Sequence, residues 1–344
     1  MSFFAKLKRK IYKNLRIFKA AGILIGVIFA VILISKVSVA FIKKVPPLLV
    51  DSVNALKSDD GRINVLILGT GGGDHEGPDL TDTMILASLP ATQSGNVYFI
   101  SIPRDIYLDY LGDKVNGAYS QGEEKKPGSG LVLAKASIAQ VTGMPVHYAL
   151  RVDFSAFSQV IDLLGGVDVE VENTFTDNLY PLTGRENDPC GGQDPEFLCR
   201  YESITFTQGL NHMDGVTALK FARSRHSEDL IEGTDFARSK RQQKIIAAIK
   251  QKALSLPTLL DFNKGLQIYD TLKSHVDTDI SENEFNGFFK LALRLKDSPL
   301  KNINLDESLL YNPPIDPVRG WYLIPNNGSF EEIHTRLKQE LSYQ

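Results

Sequence analysis

The chain has 344 residues, 43% of them hydrophobic and 23% charged, so it can bury a sizeable core and is neither fibrous nor broadly disordered. Its formal net charge is −3, although residues 1–19 hold seven cations and no acid. The rest of the chain therefore carries 31 of the 38 basic groups against all 41 acidic ones. This balance argues against a nucleic-acid partner, because such proteins need a broad basic surface.

A long apolar stretch follows the basic start. Residues 20–35 contain no charge, and a helix over 20–42 can span roughly 30 Å of hydrocarbon if Lys36 extends its aliphatic stem to the interface. A cleaved signal peptide is the alternative, but no clear small-x-small cleavage site follows. We predict an uncleaved transmembrane anchor, with residues 1–19 in the cytoplasm because cations are in excess there. A stalk is predicted at 43–61, followed by an extracellular domain. The protein is thus expected in the cell membrane, which its chain crosses once.

Beyond the stalk, strand-like runs alternate with helical patterns. Strands are predicted at 63–69, 82–89, 96–103, 146–152 and 167–172, and helices at 129–143 and 154–166, each helix ending in glycine. This alternation predicts an α/β domain whose sheet is covered by helices on both faces.

An irregular insertion is predicted at 173–205. Cys190 and Cys199 lie there in a polar segment rich in Gly and Pro, and an even pair in an exported domain is typical of a disulfide. Two free thiols are the alternative, whereas a zinc site would need a further His or Cys.

The last third of the chain is predicted to be mainly helical. Helices are expected at 214–221, 235–254, 258–275 and 281–296, with a strand at 320–325 before a final helix. Ser281 with Glu284, and Ser329 with Glu332, have the spacing of a capping box. Residues 256–344 are assigned to an extension packed on the main domain at 62–255.

Arginine-rich segments are the first candidate site. Arg238, Arg241 and Gln242 stand at i, i+3 and i+4 of a predicted helix, so they should project from one face. Arg223 and Arg225 share a side if the chain is extended there. A solvated basic helix is the alternative. Arginine dominates these positions, and its planar fork suits bidentate phosphate binding.

A glycine-rich loop leaves the first predicted strand and carries Asp74, Asp79 and Asp82 in or beside it. It is not a P-loop, and a G-x-G-x-x-G motif fails because Asp74 takes the place of the third glycine. A flexible turn is one interpretation of the glycines. The alternative is that the carboxylates hold Mg²⁺, which favours one or two acidic oxygens together with phosphate oxygens and water.

A third candidate group follows the strand that ends at Pro103. Arg104 and Asp105 come directly after it, and Lys114 follows ten residues after Arg104. Charged groups at the end of a sheet are where α/β proteins bind ligands. A surface salt bridge is the alternative for Asp105.

Six blocks follow the predicted anchor in a fixed order: "SIPRD", "KVNGAY", "RVDFSAF", "IDLLGGVDVEV", "GLNHMDGVTALKFARSR" and "DFARSKRQQKI". In order and spacing they resemble the LytR-CpsA-Psr (LCP) family of cell-envelope proteins, over residues 62–255. The resemblance implies a layered α/β/α fold with a central mixed sheet and an apolar pocket for a lipid tail. It also implies a membrane-anchored phosphotransferase that moves a glycopolymer from a polyprenyl pyrophosphate carrier to peptidoglycan.

Site residues follow from the resemblance by position. The pyrophosphate-binding set comprises Arg104, Lys114, Arg223, Arg225, Arg238 and Gln242, with Arg241 added from the helix pattern. Asp82 matches an acid that helps to bind Mg²⁺, and Asp82 or Asp105 is the candidate base, so Asp82, Arg104 and Asp105 form the predicted catalytic group. Gly71 stands where the family usually has an Asp, and Asp74 is the expected substitute metal ligand.

The reaction that the resemblance implies is a Mg²⁺-dependent transfer that forms a phosphodiester, by analogy at the C6 hydroxyl of N-acetylmuramic acid. Two other functions use the same groups. A non-catalytic binder or regulator of the lipid pyrophosphate would keep the arginines, and a hydrolase would use water as its nucleophile. A transcription regulator is disfavoured because the basic groups are predicted to lie outside the cell.

Overall fold

The computed structural model describes residues 53–73, 77–91, 95–182, 184–185, 187–192, 194–227, 229, 231–255, 257–258 and 261–342. The basic segment and the anchor predicted at 20–42 lie outside these residues, so both stay predictions. Among the helices that are described, none has the length and apolar character needed to cross a bilayer.

Strands and helices alternate through the first half of the described chain, and both continue to its end. The strands are β1 (Arg62–Thr70), β2 (Thr81–Pro90), β3 (Val97–Ser101), β4 (Tyr107–Leu108), β5 (Asp113–Lys114), β6 (Tyr148–Asp153), β7 (Val167–Val171), β8 (Phe175–Pro181), β9 (Tyr201–Phe206), β10 (Gly209–Met213), β11 (Val276–Thr278), β12 (Leu300–Asn304), β13 (Leu310–Tyr311) and β14 (Ile324–Pro325). The α-helices are α1 (Ala118–Lys125), α2 (Gly130–Thr142), α3 (Phe154–Leu164), α4 (Gly215–Arg223), α5 (Asp235–Ala253), α6 (Phe262–His275), α7 (Glu282–Arg294) and α8 (Glu331–Ser342).

A six-stranded mixed sheet forms the centre, in the order β11-β6-β1-β2-β3-β12. β1, β2 and β3 pair as antiparallel neighbours, whereas β6 runs parallel to β1 and β12 runs parallel to β3. The predicted central mixed sheet is therefore confirmed. Because β1, β3, β6 and β12 point the same way, they all end at the edge where β2 begins, and this edge carries the site.

Both faces of the sheet are covered, as the alternation of strands and helices predicts. Leu66 packs on one face in a buried cluster that includes Ile138 of α2 and Ile333 of α8. Val65 points to the other face and joins a cluster with Leu291 of α7. Successive β1 side chains thus pack into the cores on opposite faces of the sheet, because side chains alternate along a strand.

The end of the predicted stalk belongs to the domain. Val53 and Leu56 are buried in the same cluster as Val65, so the interpretation of residues 53–61 as a stalk is wrong. Burying two aliphatic side chains against the sheet holds this segment on the domain.

The segment after α3 departs from the predicted pattern. β7 lies outside the central sheet and pairs with β10 as an antiparallel ribbon. The prediction of an irregular insertion at 173–205 is also wrong, since β8 and β9 pair and bury Phe175 and Phe206 against Phe221 of α4. The loop that joins them does hold the predicted disulfide between Cys190 and Cys199. These strands therefore close a second core over the helices.

The C-terminal part completes the main sheet, because β11 and β12 follow residue 255 and form its two edges. Residues 256–344 are thus more than an extension packed on a finished domain. The capping box of Ser281 and Glu284 is confirmed at the start of α7. The one predicted at Ser329 is wrong, since α8 begins at Glu331. Of the strand predicted at 320–325, residues 324–325 form β14 and Leu323 makes a single bridge with Ile106.

Candidate functional site

A cleft of about 840 Å³ opens at the edge where β2 begins. Three parts of the chain line it: the start of β2 and the end of β3 with the turn that follows, the start of α5 with its preceding loop, and the segment from Asn304 to Leu323. Its walls combine apolar side chains, such as Met84 and Ile102, with the charged side chains of Asp82, Arg104, Asp105 and Arg238. Such a mixture suits a ligand that has one apolar end and one anionic end.

Arg104 is the centre of a chain of charges. Its Nη1 donates to Asp82, and its Nε lies 3.5 Å from a carboxylate oxygen of Asp105. The other oxygen of Asp105 accepts from Lys114 Nζ at 2.9 Å. Lys114 reaches this position because β4 and β5 pair, with Tyr107 opposite Lys114. The structure therefore brings together four residues that the sequence places up to 32 positions apart.

The two carboxylates differ in environment. Asp105 lies between two cations and its side chain is only 14% exposed, whereas Asp82 pairs with Arg104 and is 39% exposed. The salt-bridge alternative weighed for Asp105 is thus present in the structure. Asp105 holds Arg104 and Lys114 in place, and Asp82 is the carboxylate more open to the cleft.

The first turns of α5 supply another wall. Arg238 and Gln242 both line the cleft, and Gln242 Nε2 donates to Thr83 Oγ1 at 3.0 Å. Thr234 caps the helix by accepting from Ala237 N. The N-terminus of α5 therefore adds its partial positive charge to this side of the cleft.

Arg241 does not share that wall. It is 3% exposed, and its guanidinium donates to the carbonyl oxygens of Phe221, Ser224 and Glu232 and to the Glu232 carboxylate. Assigning Arg241 to the pyrophosphate site is therefore wrong: its role is structural. The reason is helix geometry. Around the helix axis Gln242, at i+4, lies within about 40° of Arg238, whereas Arg241, at i+3, lies about 60° away on the other side.

Arg223 and Arg225 lie outside the lining of the cleft. The guanidinium of Arg223 lies over the ring of Phe154, 4.2 Å from its centroid, and donates to the hydroxyl of Tyr180 at 3.4 Å. Arg225 is exposed, and its backbone N–H donates to Asp177 at 3.0 Å. In this structure, then, the predicted arginines divide: Arg104 and Arg238 line the cleft, and the R-x-R pair does not.

Asp177 is a residue that the sequence analysis missed. It is fully buried, and its carboxylate accepts from the Ser224 hydroxyl and from the backbone N–H groups of Leu179, Arg225 and His226. Burial alone would raise the pKa of Asp177, but these hydrogen bonds outweigh it and hold the pKa below its usual value. Asp177 thus fixes the segment that carries the R-x-R pair. No pattern marked it, because it falls in the stretch interpreted as irregular.

The predicted metal ligands are only partly described. Asp74 lies outside the described residues, and Asp79 pairs with Arg151 at 3.0 Å. Within the part of the chain that the structure describes, no three acidic, His or Cys side chains converge in the cleft. Mg²⁺ nevertheless needs only one or two protein carboxylates when phosphate oxygens and water complete its shell. Asp82 fits that requirement as a single ligand.

The contrast between Arg238 and Arg241 is testable. We expect Arg241→Met to lower the free energy of unfolding by about 3–5 kcal/mol, because it leaves Glu232 and three carbonyl groups without their partner. Arg238→Met should change it by less than about 1 kcal/mol and should weaken binding of farnesyl pyrophosphate instead. Urea denaturation and calorimetric titration measure the two quantities. Equal destabilisation by both changes would contradict this division of roles.

Comparison with known proteins identifies a family model and relatives that match most of the chain. The model of the LytR_cpsA_psr family matches residues 36–339. The chain is 29% identical over 298 residues to the polyisoprenyl-teichoic acid–peptidoglycan teichoic acid transferase TagU of Oceanobacillus iheyensis, covering 85% of this chain and 80% of that protein.

Solved structures share the same architecture. The crystal structure of B. subtilis TagV matches with a TM-score of 0.58 at 22% identity, over 83% of this chain and 100% of that one. A structure of TagT bound to LIIa-WTA matches with a TM-score of 0.56 at 22% identity, over 83% and 93% of the two chains. At this identity the likeness establishes the fold alone.

Proposed function

The chain belongs to the LytR_cpsA_psr family, and on that premise we propose that it transfers a glycopolymer from a polyprenyl pyrophosphate carrier to peptidoglycan. The name of its relative TagU, a polyisoprenyl-teichoic acid–peptidoglycan transferase, supports this class of donor and acceptor. The observation that carries the proposal is the cleft, which puts Arg104 and Arg238 beside an apolar wall. The anchor predicted at 20–42 would hold the enzyme at the membrane, with this cleft outside the cell.

The two ends of the carrier would find different surroundings. Guanidinium groups of Arg104 and Arg238 neutralise and orient the pyrophosphate, and Lys114 supports them through Asp105. Ile231, Pro103 and Leu323, which line the cleft and keep exposed surface, offer apolar contacts to the first isoprene units. Because the cleft is partly closed to water, the attraction between arginine and phosphate is stronger there than at an open surface.

Transfer is proposed as one displacement at phosphorus. A hydroxyl oxygen of the acceptor, by analogy the C6 hydroxyl of N-acetylmuramic acid, attacks the phosphorus that bears the glycan. The bond from that phosphorus to the bridging oxygen breaks, and polyprenyl phosphate leaves with the electron pair. The glycan is then joined to peptidoglycan through a phosphodiester. Arginines that already face the phosphates stabilise the charge that develops on their oxygens.

Asp82 is assigned to the reacting centre, since it is the more exposed carboxylate beside Arg104. It can accept a hydrogen bond from the attacking hydroxyl and take its proton. Mg²⁺, when bound, would be held by Asp82 and would neutralise further phosphate charge. Asp105 keeps a positioning role between Arg104 and Lys114.

The decisive experiment uses the full chain in detergent with Mg²⁺, a carrier labelled in its glycan, and purified peptidoglycan sacculi. Label should become covalently attached to the sacculi while polyprenyl phosphate forms, and Asp82→Asn should slow this transfer at least about 100-fold. Carrier binding should persist in that variant, because the arginines remain. Release of labelled glycan without sacculi would instead identify a hydrolase, and binding without turnover would identify a non-catalytic binder.

A further inference from the structure

The third wall of the cleft, formed by residues 304–308 and Trp321, has no part in holding the phosphates. It includes Asn304 at the end of β12, the turn at Asp306 and Glu307, and Trp321 from the segment before β14. Its charged side chains are carboxylates, so it would repel an anionic ligand. We call this surface the C-terminal wall.

Trp321 is 45% exposed, and backbone hydrogen bonds fix the chain that follows it. Two residues later, Leu323 N donates to the backbone oxygen of Asp105 at 2.9 Å, and Tyr107 N donates to the oxygen of Leu323 at 2.9 Å. The rings of Tyr107 and Tyr322 also pack with their centroids 5.3 Å apart. The backbone two residues after Trp321 is thus hydrogen-bonded to the turn that carries Arg104 and Asp105.

Hydrogen-bond acceptors also lie in the C-terminal wall. The side-chain oxygen of Asn304 is buried and has no hydrogen-bond partner among the residues that the structure describes. Asp306 accepts from the backbone N–H and the hydroxyl of Ser308, which fixes the turn and leaves the Glu307 side chain exposed. Over that same described part, no ion pair or hydrogen bond occupies the Glu307 carboxylate.

An exposed aromatic ring that lines the same cleft as an exposed carboxylate matches the chemistry of a sugar. One face of a pyranose ring is lined by C–H groups that pack on an aromatic plane, and its hydroxyls donate to oxygens at the edge. An isoprenoid tail would cover the Glu307 carboxylate without giving it a hydrogen-bond partner, which is costly. A neutral, hydroxyl-rich ligand therefore fits this wall better than lipid or phosphate.

We propose that the C-terminal wall binds the N-acetylhexosamine glycan strand of the acceptor, with Trp321 stacking on one sugar and Glu307 accepting from its hydroxyls. This inference rests on the proposed function, because it assigns the second substrate of the same cleft. It places the acceptor beside the turn that carries Arg104 and Asp105, in the cleft that Arg238 also lines, so that a hydroxyl can approach the phosphorus there.

Trp321 provides its own reporter, because it is the single tryptophan of the chain. Titration of the full chain in detergent with a soluble tetrasaccharide of N-acetylglucosamine and N-acetylmuramic acid should change its fluorescence in a saturable way. Glu307→Gln should raise the Kd about tenfold, since a hydrogen bond to a charged acceptor is stronger than one to a neutral amide. Glu331→Gln, at an 83% exposed position on α8, is the matched control and should leave the Kd unchanged.

Transfer kinetics give a second measurement. Trp321→Ala should raise the KM for the acceptor at least tenfold and leave the KM for the lipid-linked donor within twofold, and Trp321→Phe should recover most of the loss. The proposal is wrong if the protein transfers the glycopolymer but its Trp321 fluorescence does not change when the saccharide is added. Quenching of Trp321 by brominated lipids in nanodiscs that saccharide does not relieve would also overturn it, because the wall would then face the membrane. Saccharide binding without any transfer would leave this assignment standing and count against the proposed function.

Discussion

Arg104→Ala is expected to lower kcat/KM for transfer by about 10²–10³-fold, the loss found when one preorganised charge-stabilising donor is removed from an active site. Arg104 is the cation of the cleft that contacts both acidic residues, Asp82 and Asp105. Its loss removes positive charge from the phosphates and also leaves two neighbouring carboxylates to repel them. The site therefore loses one positive charge, and Asp105 is left with Lys114 as its remaining cation.

Stability should change much less than activity. The side chain of Arg104 is partly exposed, and ion pairs of this kind contribute about 0–1 kcal/mol. Arg104→Lys keeps the charge but lacks the planar fork, so an intermediate loss is expected. Arg336→Ala is the matched control, because it breaks an ion pair with Glu340 on α8, outside the lining of the cleft. Transfer assays with thermal denaturation test this, and a variant that keeps wild-type kcat/KM would remove Arg104 from the mechanism.

Asp177→Ala is expected to lower the free energy of unfolding by about 3–5 kcal/mol. The change leaves the Ser224 hydroxyl and three backbone N–H groups without their acceptor in a buried site, and each unsatisfied group costs about 1–3 kcal/mol before relaxation. Domains of this kind have a total stability of about 5–15 kcal/mol, so the loss is large. It should also release the segment that carries Arg223 and Arg225.

Asp194→Asn supplies a control from the same region. Asp194 also accepts from two backbone N–H groups, those of Glu196 and Leu198, but it is a partly exposed loop residue that water can reach. We expect it to cost less than about 1 kcal/mol, against about 2–3 kcal/mol for Asp177→Asn, as measured by urea denaturation. Equal costs at the two positions would show that burial of Asp177 is not the deciding factor.

The effect of Asp177 should depend on pH in a defined direction. Its hydrogen bonds hold the folded-state pKa below the unfolded value near 3.9, so the carboxylate binds its proton more weakly in the folded chain. The stabilisation is fully present above about pH 4 and is lost as the pH falls through the folded-state pKa. The difference in unfolding free energy between wild type and Asp177→Asn should therefore shrink below pH 4. A difference that stays constant from pH 3 to pH 7 would contradict this account.

Local patterns predicted the inner elements well. β1, β2, β3 and β6 coincide with apolar, β-branched runs, and α2 and α3 end where Gly143 and Gly165 adopt left-handed backbone conformations. These features depend on side-chain periodicity and on the conformational freedom of glycine, both of which act within a few residues. The same locality explains why the capping box at Ser281 was recognised.

Long-range pairing explains the errors. β7 has the alternation of a half-buried strand, but its partner is β10 and it does not join the central sheet. β11 and β12 are short, and only their pairing with β6 and β3 identifies them as sheet edges. A strand presents the same backbone groups to any neighbour, so sequence spacing alone does not select the partner.

The sequence by itself determined the mixed α/β class, the resemblance to a family of cell-envelope proteins, and which arginines and aspartates were candidates for chemistry. Tertiary structure decided which of them meet. It brought Arg104, Arg238 and Asp82 to one cleft, turned Arg241 inward, and made Asp177 the residue that holds the R-x-R segment. The physical reason is that residue types and periodicity are local properties, whereas the surroundings of a charge depend on which distant segments pack against it.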